Sequence, residues 1–275
     1  MELVGEGLVL DVGGWANPFD RADYVLDEGA YETRSLGYHG VGKLPKSVIY
    51  RNPRPGERFT KATWIMHDAC DPKPFPFPDK FFDFVICSHT LEDLRDPGRV
   101  CSEMQRVGNA GFIETPSRLA EQTHHLPPNS GIGSPHHHWL VESVPNKNKI
   151  SFLAKPDGLS KSRDFYVPGT YFYSRSPLEH VLSFYWNGSF SCEVSRDYNW
   201  QANCRSLVSG LNIPTWYYWR DALKGIQYRL IGKRRRDNIA QVQKGDEELW
   251  TWPALFEANA RFKPVKDKDA SGVGD

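Results

Sequence analysis

The chain opens on a short apolar run, "GLVLDV" at residues 7–12, with an acid near its end. Four runs of the same kind follow: "ADYVLD" (22–27), "ATWIMHD" (62–68), "FFDFVICSH" (81–89) and "AGFIETP" (110–116). Short apolar runs of this kind predict strands buried on both faces. Between the fourth and fifth, "DPGRVCSEMQRV" (96–107) sets Val100, Met104 and Val107 at helical spacing. Asp96 is placed to cap that helix, with Pro97 at its first position. Residues 29–60 are rich in Gly, Pro and Arg and predict an irregular excursion with one helical turn. "DPKPFPFPDK" (71–80) carries four prolines, which remove donors and fix φ, so regular structure is excluded there. Strands separated by a helix or by long crossovers predict a parallel sheet.

After residue 117 the pattern changes. "EQTHHLPPNSGIGSPHHH" (121–138) predicts a loop, and "HWLVESVPNKNKISFLAK" (138–155) predicts two strands around a turn. "EHVLSFYWNGSFSCEVSRD" (179–197) predicts a hairpin, because Asn187-Gly188 is a strong two-residue turn signal. Residues 214–241 predict a long helix, weakened by Gly225 and Gly232. The polar C-terminal residues predict a disordered tail.

Composition narrows the class. A length of 275 residues allows one large domain or a domain with an accessory segment. The formal net charge of zero argues against a nucleic-acid partner. No apolar run reaches about 18 residues, so no spanning helix is expected. The first residues lack a basic leader followed by an apolar stretch, so no signal peptide is expected. The five cysteines are odd in number and show no CxxC spacing, which points to reduced thiols and a cytoplasmic protein.

In a doubly wound sheet, ligands sit beyond the carboxyl ends of the strands. Here those ends carry Asp11-Val12-Gly13-Gly14, Asp27-Glu28, Asp68-Ala69, Ser88-His89 and Glu114-Thr115. Glycine after the first strand lets backbone approach a ligand closely. An acid ending the second strand is placed to accept from ribose hydroxyls. An acid ending the third can accept from an adenine amino group.

The series resembles the class I S-adenosylmethionine-dependent methyltransferases, in the broad group labelled type 11. The likeness is carried by "VLDVGGWANP", "ADYVLDE", "HDACDPKPFPFPDKFFDFVICSHTLEDLRDP" and "RVGNAGFIETPS", roughly residues 8–117, and more weakly by "HHHWLVE". It implies an α/β, Rossmann-like core, residues 1–155, with a mostly parallel sheet. Residues 156–275 would form a C-terminal α+β extension of hairpin, long basic helix and disordered tail. It implies S-adenosyl-L-methionine as cofactor. Asp11, Gly13 and Gly14 would line its methionine end, Asp27 would bind the ribose, Asp68 and Ala69 would flank adenine, and Ser88 and His89 would sit beside the sulfonium. Trp15 departs from the family, which carries glycine in that loop. It closes the cofactor site as an aromatic wall, packs into the core, or marks a site retained only as a scaffold.

For a hydroxyl acceptor, the candidate bases are His89 first and Glu114 second. His124, His125, His136, His137 and His138 cluster in the 121–138 segment, with Glu142 beyond. His136 and His138 would share a strand face that could suit a metal. No carboxylate stands at a firm spacing to them, so no metal is expected and the segment reads as a loop over the acceptor. Residues 214–236 gather basic and aromatic side chains, which suits either a membrane-surface contact or a core helix with a solvated basic end. The expected function is methyl transfer to a small-molecule or glycan acceptor. The competing reading is a Rossmann-like binding module without turnover.

Overall fold

The computed structural model describes residues 6–34, 44–45, 56–124, 131–144, 147–156, 159, 166–196, 199–227 and 249–250. Its central sheet has six strands: β1 (Val9–Val12), β2 (Tyr24–Asp27), β3 (Trp64–Met66), β4 (Phe82–Ser88), β5 (Gly108–Pro116) and, later in the chain, Val181–Asn187. The five apolar runs therefore form strands, as their pattern predicts. Numbered in chain order with the two strands of 138–155, β6 (Trp139–Val144) and β7 (Lys149–Ala154), the sixth strand is β8. The sheet order is β8-β5-β4-β1-β2-β3. β1 to β5 are mutually parallel, and β8 runs antiparallel to β5. The order reverses between β1 and β4, which opens a crevice beyond their carboxyl ends.

Helix α1 (Pro97–Val107) starts where the sequence predicts, with Asp96 Oδ1 accepting from the Arg99 N–H at 3.0 Å. Its buried Val100, Cys101, Met104 and Val107 pack on one sheet face, against Leu10, Val85, Cys87 and Ile113. Full burial of each large apolar side chain contributes about 1.5–3 kcal/mol. The polar face of α1 also orders the proline-rich stretch that cannot pair its own backbone. Arg99 donates to the carbonyls of Asp71, Pro72 and Lys73, and Arg106 to those of Phe75 and Phe77. Across the sheet, Val9, Val25, Phe59 and Trp64 form a second cluster that draws in Trp15, Phe19 and Tyr31 from irregular segments. Among the described residues, the β1–β2 connection contains no α-helix.

The predicted hairpin at 179–197 is corrected. Both strands exist, and Gly188 turns with φ +72°, but they do not pair with each other. β8 joins the central sheet, while β9 (Ser191–Ser195) pairs in parallel with β7 in a three-stranded sheet β9-β7-β6. Two packing demands override the local turn signal. Trp186 lies opposite Gly111, where a Cβ would come within 2.6 Å of the indole, so only glycine leaves room for the ring. Phe190 is then buried against Phe184 and Trp186, which carries the chain from one sheet to the other. The central sheet thus reaches past residue 155. β6 and β7 do form the predicted antiparallel pair.

The chain between β5 and β8 leaves and returns at one point. Pro116 is in register with Val181, and the Ser117 N–H donates to the His180 carbonyl at 3.0 Å. Within this excursion stand α2 (Arg118–Glu121) and the β6–β7 pair. Helix α3 (Trp200–Gly210) was not foreseen from the sequence, and the predicted helix at 214–241 is helical at 215–227. His125, residues 228–248 and the predicted disordered tail lie outside the described residues. No helix among the described residues is long and apolar enough to cross a membrane.

Candidate active site

A cavity of about 780 Å³ lies beyond the carboxyl ends of β1 to β4. Of the residues singled out in the sequence, Gly13, Trp15, Asp27, Asp68, Ala69 and His89 line it. Asp11, Gly14, Ser88 and Glu114 stand behind its wall. Asp11 is almost fully buried, and its Oδ2 accepts from the Phe19 N–H at 2.8 Å, so it shapes the turn from beneath. Burial pushes its carboxyl up to about 7, against the Phe19 N–H and with the Asp27 charge adding. A Cβ on Gly14 would lie 2.5 Å from Asp11 Oδ2, so that glycine serves the same packing.

Gly13 has φ +80°, a conformation that favours glycine, and its N–H donates to the Leu26 carbonyl at 2.9 Å. Thr90 Oγ1, from the loop after β4, lies 3.2 Å from the Gly13 carbonyl and binds it. The two loops flanking the switch point are therefore tied together.

The place of Trp15 is now plain. Its indole joins the cluster with Phe19 and Tyr31, and its Nε1–H donates to Thr33 Oγ1 at 2.9 Å. Its backbone N–H donates to Asp27 Oδ2 at 3.1 Å, while the Gly29 N–H donates to Oδ1 at 2.7 Å. The tryptophan is thus both a packed core residue and a wall of the cavity, and its backbone helps aim the Asp27 carboxylate. Burial raises the Asp27 carboxyl above its usual range, opposed by those two N–H groups and aided by Glu28. Asp68 is fixed by Arg95 at 2.7 Å and by the Cys70 N–H at 2.8 Å.

His89 adopts φ +51°, unusual for a residue with a side chain, and its N–H donates to the Glu114 carbonyl at 2.8 Å. Strain of this kind costs about 1–3 kcal/mol and concentrates at functional sites. Its ring lies between two carboxylates, with Nδ1 3.5 Å from Glu92 and Nε2 3.5 Å from Glu114. Glu92 beside the imidazole raises the His89 pKa above its usual range, against partial burial, with Glu114 and Asp93 adding. Ser88 Oγ binds Glu114 Oε1 at 3.2 Å, which orients that carboxylate behind His89.

Several residues here were not singled out from the sequence. His67, Thr90 and Arg95 line the cavity. The histidine segment does reach the site: His136 and His138 line the cavity, and the His138 and Trp139 N–H groups both donate to the Glu92 carbonyl. His124 points elsewhere, against Tyr166. The cysteines at 70, 87 and 101 are buried thiols, as read from the sequence.

Residues 46–111 match the family model described as a methyltransferase domain. Over that segment the chain is similar to a methyltransferase domain. The matched segment runs through β3, β4 and α1 and begins after the glycine turn, so Trp15 lies outside it. Solved structures similar to the chain include S-adenosylmethionine-dependent methyltransferases of Thermotoga maritima and Mesorhizobium loti. The first is 17% identical over 42% of this chain and 47% of its own, with a TM-score of 0.29. The second is 14% identical over 56% of this chain and 60% of its own, with a TM-score of 0.31. The chain thus spans about half the length of these structures. A search of curated proteins finds no match.

Proposed function

We propose that the protein transfers a methyl group from S-adenosylmethionine to a small-molecule or sugar acceptor. The observation that carries this reading is the convergence of Gly13, Trp15, Asp27, Asp68, Ala69 and His89 on one cavity at the switch point of the sheet. These residues fit the cofactor: Asp27 presents an aimed carboxylate with lone pairs to spare for two ribose hydroxyls, and Gly13 has no side chain to hold a ligand off the turn. When bound, S-adenosylmethionine supplies a methyl carbon already activated by positive sulfur. The protein's own work is then alignment and exclusion of water. Trp15 closes one side, and neutral His89 would take the proton of a hydroxyl acceptor, with Glu92 and Glu114 stabilising the imidazolium. Calorimetric titration with S-adenosylhomocysteine tests the reading. Binding supports it, and no binding at millimolar ligand removes it. Five free thiols suit a reducing cytoplasm, the compartment we assign.

The base role has a pH signature. Titration of His89 by NMR should give a pKa above the ordinary 6.5, and Glu92→Gln should lower it. The neutral base accumulates as pH rises through that raised value, so transfer to a hydroxyl should increase with pH, and the Gln variant should reach its plateau at lower pH. An unshifted His89 in the wild type would leave the base assignment without support.

We also propose that the helix at 215–227 rests on an anionic lipid surface. Trp216, Trp219, Leu223 and Ile226 recur at three- and four-residue spacing and are exposed, Trp219 by 73% and Leu223 by 67%. The opposite face is anchored, since the buried Asp221 carboxylate accepts from the Gly169 and Thr170 N–H groups. Arg220 and Lys224 flank the exposed stripe, and the sequence continues with Arg229, Lys233, Arg234, Arg235 and Arg236. Each basic group near an anionic surface contributes about 1 kcal/mol. The protein should sediment with phosphatidylserine vesicles at low salt, less at high salt, and little in a Trp219→Ala/Leu223→Ala variant. Equal recovery with neutral and anionic vesicles would overturn this.

A further inference from the structure

We propose that Asp93, His136 and His137 form a site for one divalent transition-metal ion on the acceptor side of the cavity. The potential ligand atoms of these three side chains all lie within 4.8 Å of one another. His137 Nε2 and Asp93 Oδ1 are 3.7 Å apart, too long for a hydrogen bond. Two donors each about 2.1 Å from one ion, at angles between tetrahedral and trigonal, stand roughly 3.4–3.6 Å apart. A small closure of the pair would therefore accommodate an ion. Asp93 Oδ1 is buried and has no hydrogen-bond partner among the described residues, which is costly unless a cation or a proton completes it.

The surroundings prepare His137 as a ligand. Its Nδ1 lies 2.5 Å from Oε1 of Glu121, which is only 2% exposed. The other oxygen of Glu121 accepts from Lys155 Nζ at 2.5 Å. An ionised carboxylate only accepts, so Nδ1 carries a proton, and in the neutral imidazole Nε2 then holds the lone pair that faces Asp93. A buried carboxylate behind a histidine is the usual support for a metal-bound imidazole. The His136 ring stands edge-on to His137 at 4.5 Å between centroids. The two loops are locked together by the paired His138 and Trp139 N–H groups on the Glu92 carbonyl and by the Trp139 indole N–H on the Leu94 carbonyl at 2.6 Å. Asp93 and His136 are therefore held against each other by the fold.

Two imidazoles and one carboxylate suit Zn²⁺, Co²⁺, Mn²⁺ or Fe²⁺ better than Ca²⁺ or Mg²⁺. Three protein ligands leave a position open, and Asp93 and His136 both line the cavity. An acceptor bearing a hydroxyl or carboxylate could occupy that position, where the ion would orient it and lower its pKa. This role rests on the proposed methyl transfer, but the binding of the ion does not. The other explanation for the same geometry is a protonated His137 paired with Glu121 and Asp93.

The test is titration of chelator-treated, metal-free protein with Co²⁺, read by its visible absorption, and with Zn²⁺, read by calorimetry. One ion of either metal per chain is expected. Asp93→Asn and His136→Ala should each weaken Co²⁺ binding by at least ~10-fold, and Glu121→Gln by ~10–100-fold. His124→Ala, outside the set, should leave it unchanged. Asp93 and His136 are at the cavity surface, so their variants carry the test if Glu121→Gln fails to fold. Absence of Co²⁺ binding, or binding unaltered in both Asp93→Asn and His136→Ala, would overturn the site. S-adenosylhomocysteine binding, measured in parallel, separates failure of the site from failure of the methyl-transfer reading.

Discussion

Gly13→Val should abolish S-adenosylhomocysteine binding and markedly destabilise the fold. A Cβ at this position would lie 2.2 Å from Thr90 Oγ1 and 2.3 Å from Thr90 Cγ2. The backbone also sits at φ +80°, which a β-branched residue resists. The conformational term costs about 1–2 kcal/mol and the overpacking about 1–3 kcal/mol. Relief requires the turn to rotate, which breaks the Gly13 N–H bond to Leu26 and shifts Trp15, two residues on, off Asp27. Urea denaturation should show a lower midpoint with unchanged slope, and calorimetry should show no ligand heat. Thr90→Ala added to Gly13→Ala should recover part of the stability, since it removes the two shortest contacts but leaves the Thr90 Cβ at 2.7 Å and the backbone strain. Wild-type stability in Gly13→Val would contradict the close packing of the two loops.

Asp27→Ala should weaken S-adenosylhomocysteine binding about ten- to hundredfold, because hydrogen bonds to a charged group contribute about 1.5–3 kcal/mol. The substitution removes the acceptor for ribose hydroxyls and leaves the Trp15 and Gly29 N–H groups to water. No overpacking or backbone strain is introduced, so the melting temperature should fall much less than in Gly13→Val. Asp27→Asn should fare little better than alanine, since its amide nitrogen would meet one of the two N–H donors. Calorimetry on the three proteins checks this, and equal affinity in wild type and Asp27→Ala would remove the ribose role.

The parts of this molecule that were readable in the sequence are those set by neighbours along the chain. Asp96-Pro97 marks the start of α1, and unbroken apolar runs mark β1 to β5, because capping and periodicity are local. Asp27 and Asp68 were readable as candidates that line the cavity because each lies at or just beyond the end of a strand. β8 was misassigned to a hairpin because Asn187-Gly188 specifies a turn without specifying which strands pair across it. The space above Gly111 made that choice, and it lies far away in sequence. α3 was missed because it buries only Cys204, which leaves almost no periodic signal. The partners of the histidines were hidden for the same reason. Asp93 comes from the loop after β4 and Glu121 from α2, and no spacing rule joins them to His137.

The shared departure and return point at Pro116 and Val181 has an evolutionary consequence. The segment that brings His136 and His138 to the cavity hangs from a doorway whose two posts are already paired, with Ser117 Oγ donating to the Glu179 carbonyl at 2.7 Å. Closing a long excursion costs only slightly more than closing a short one. Insertions and deletions between the posts can therefore accumulate without disturbing the register of the sheet. On the proposed methyl transfer, substrate preference in such an architecture can change while the half proposed to hold the nucleoside is left as it is.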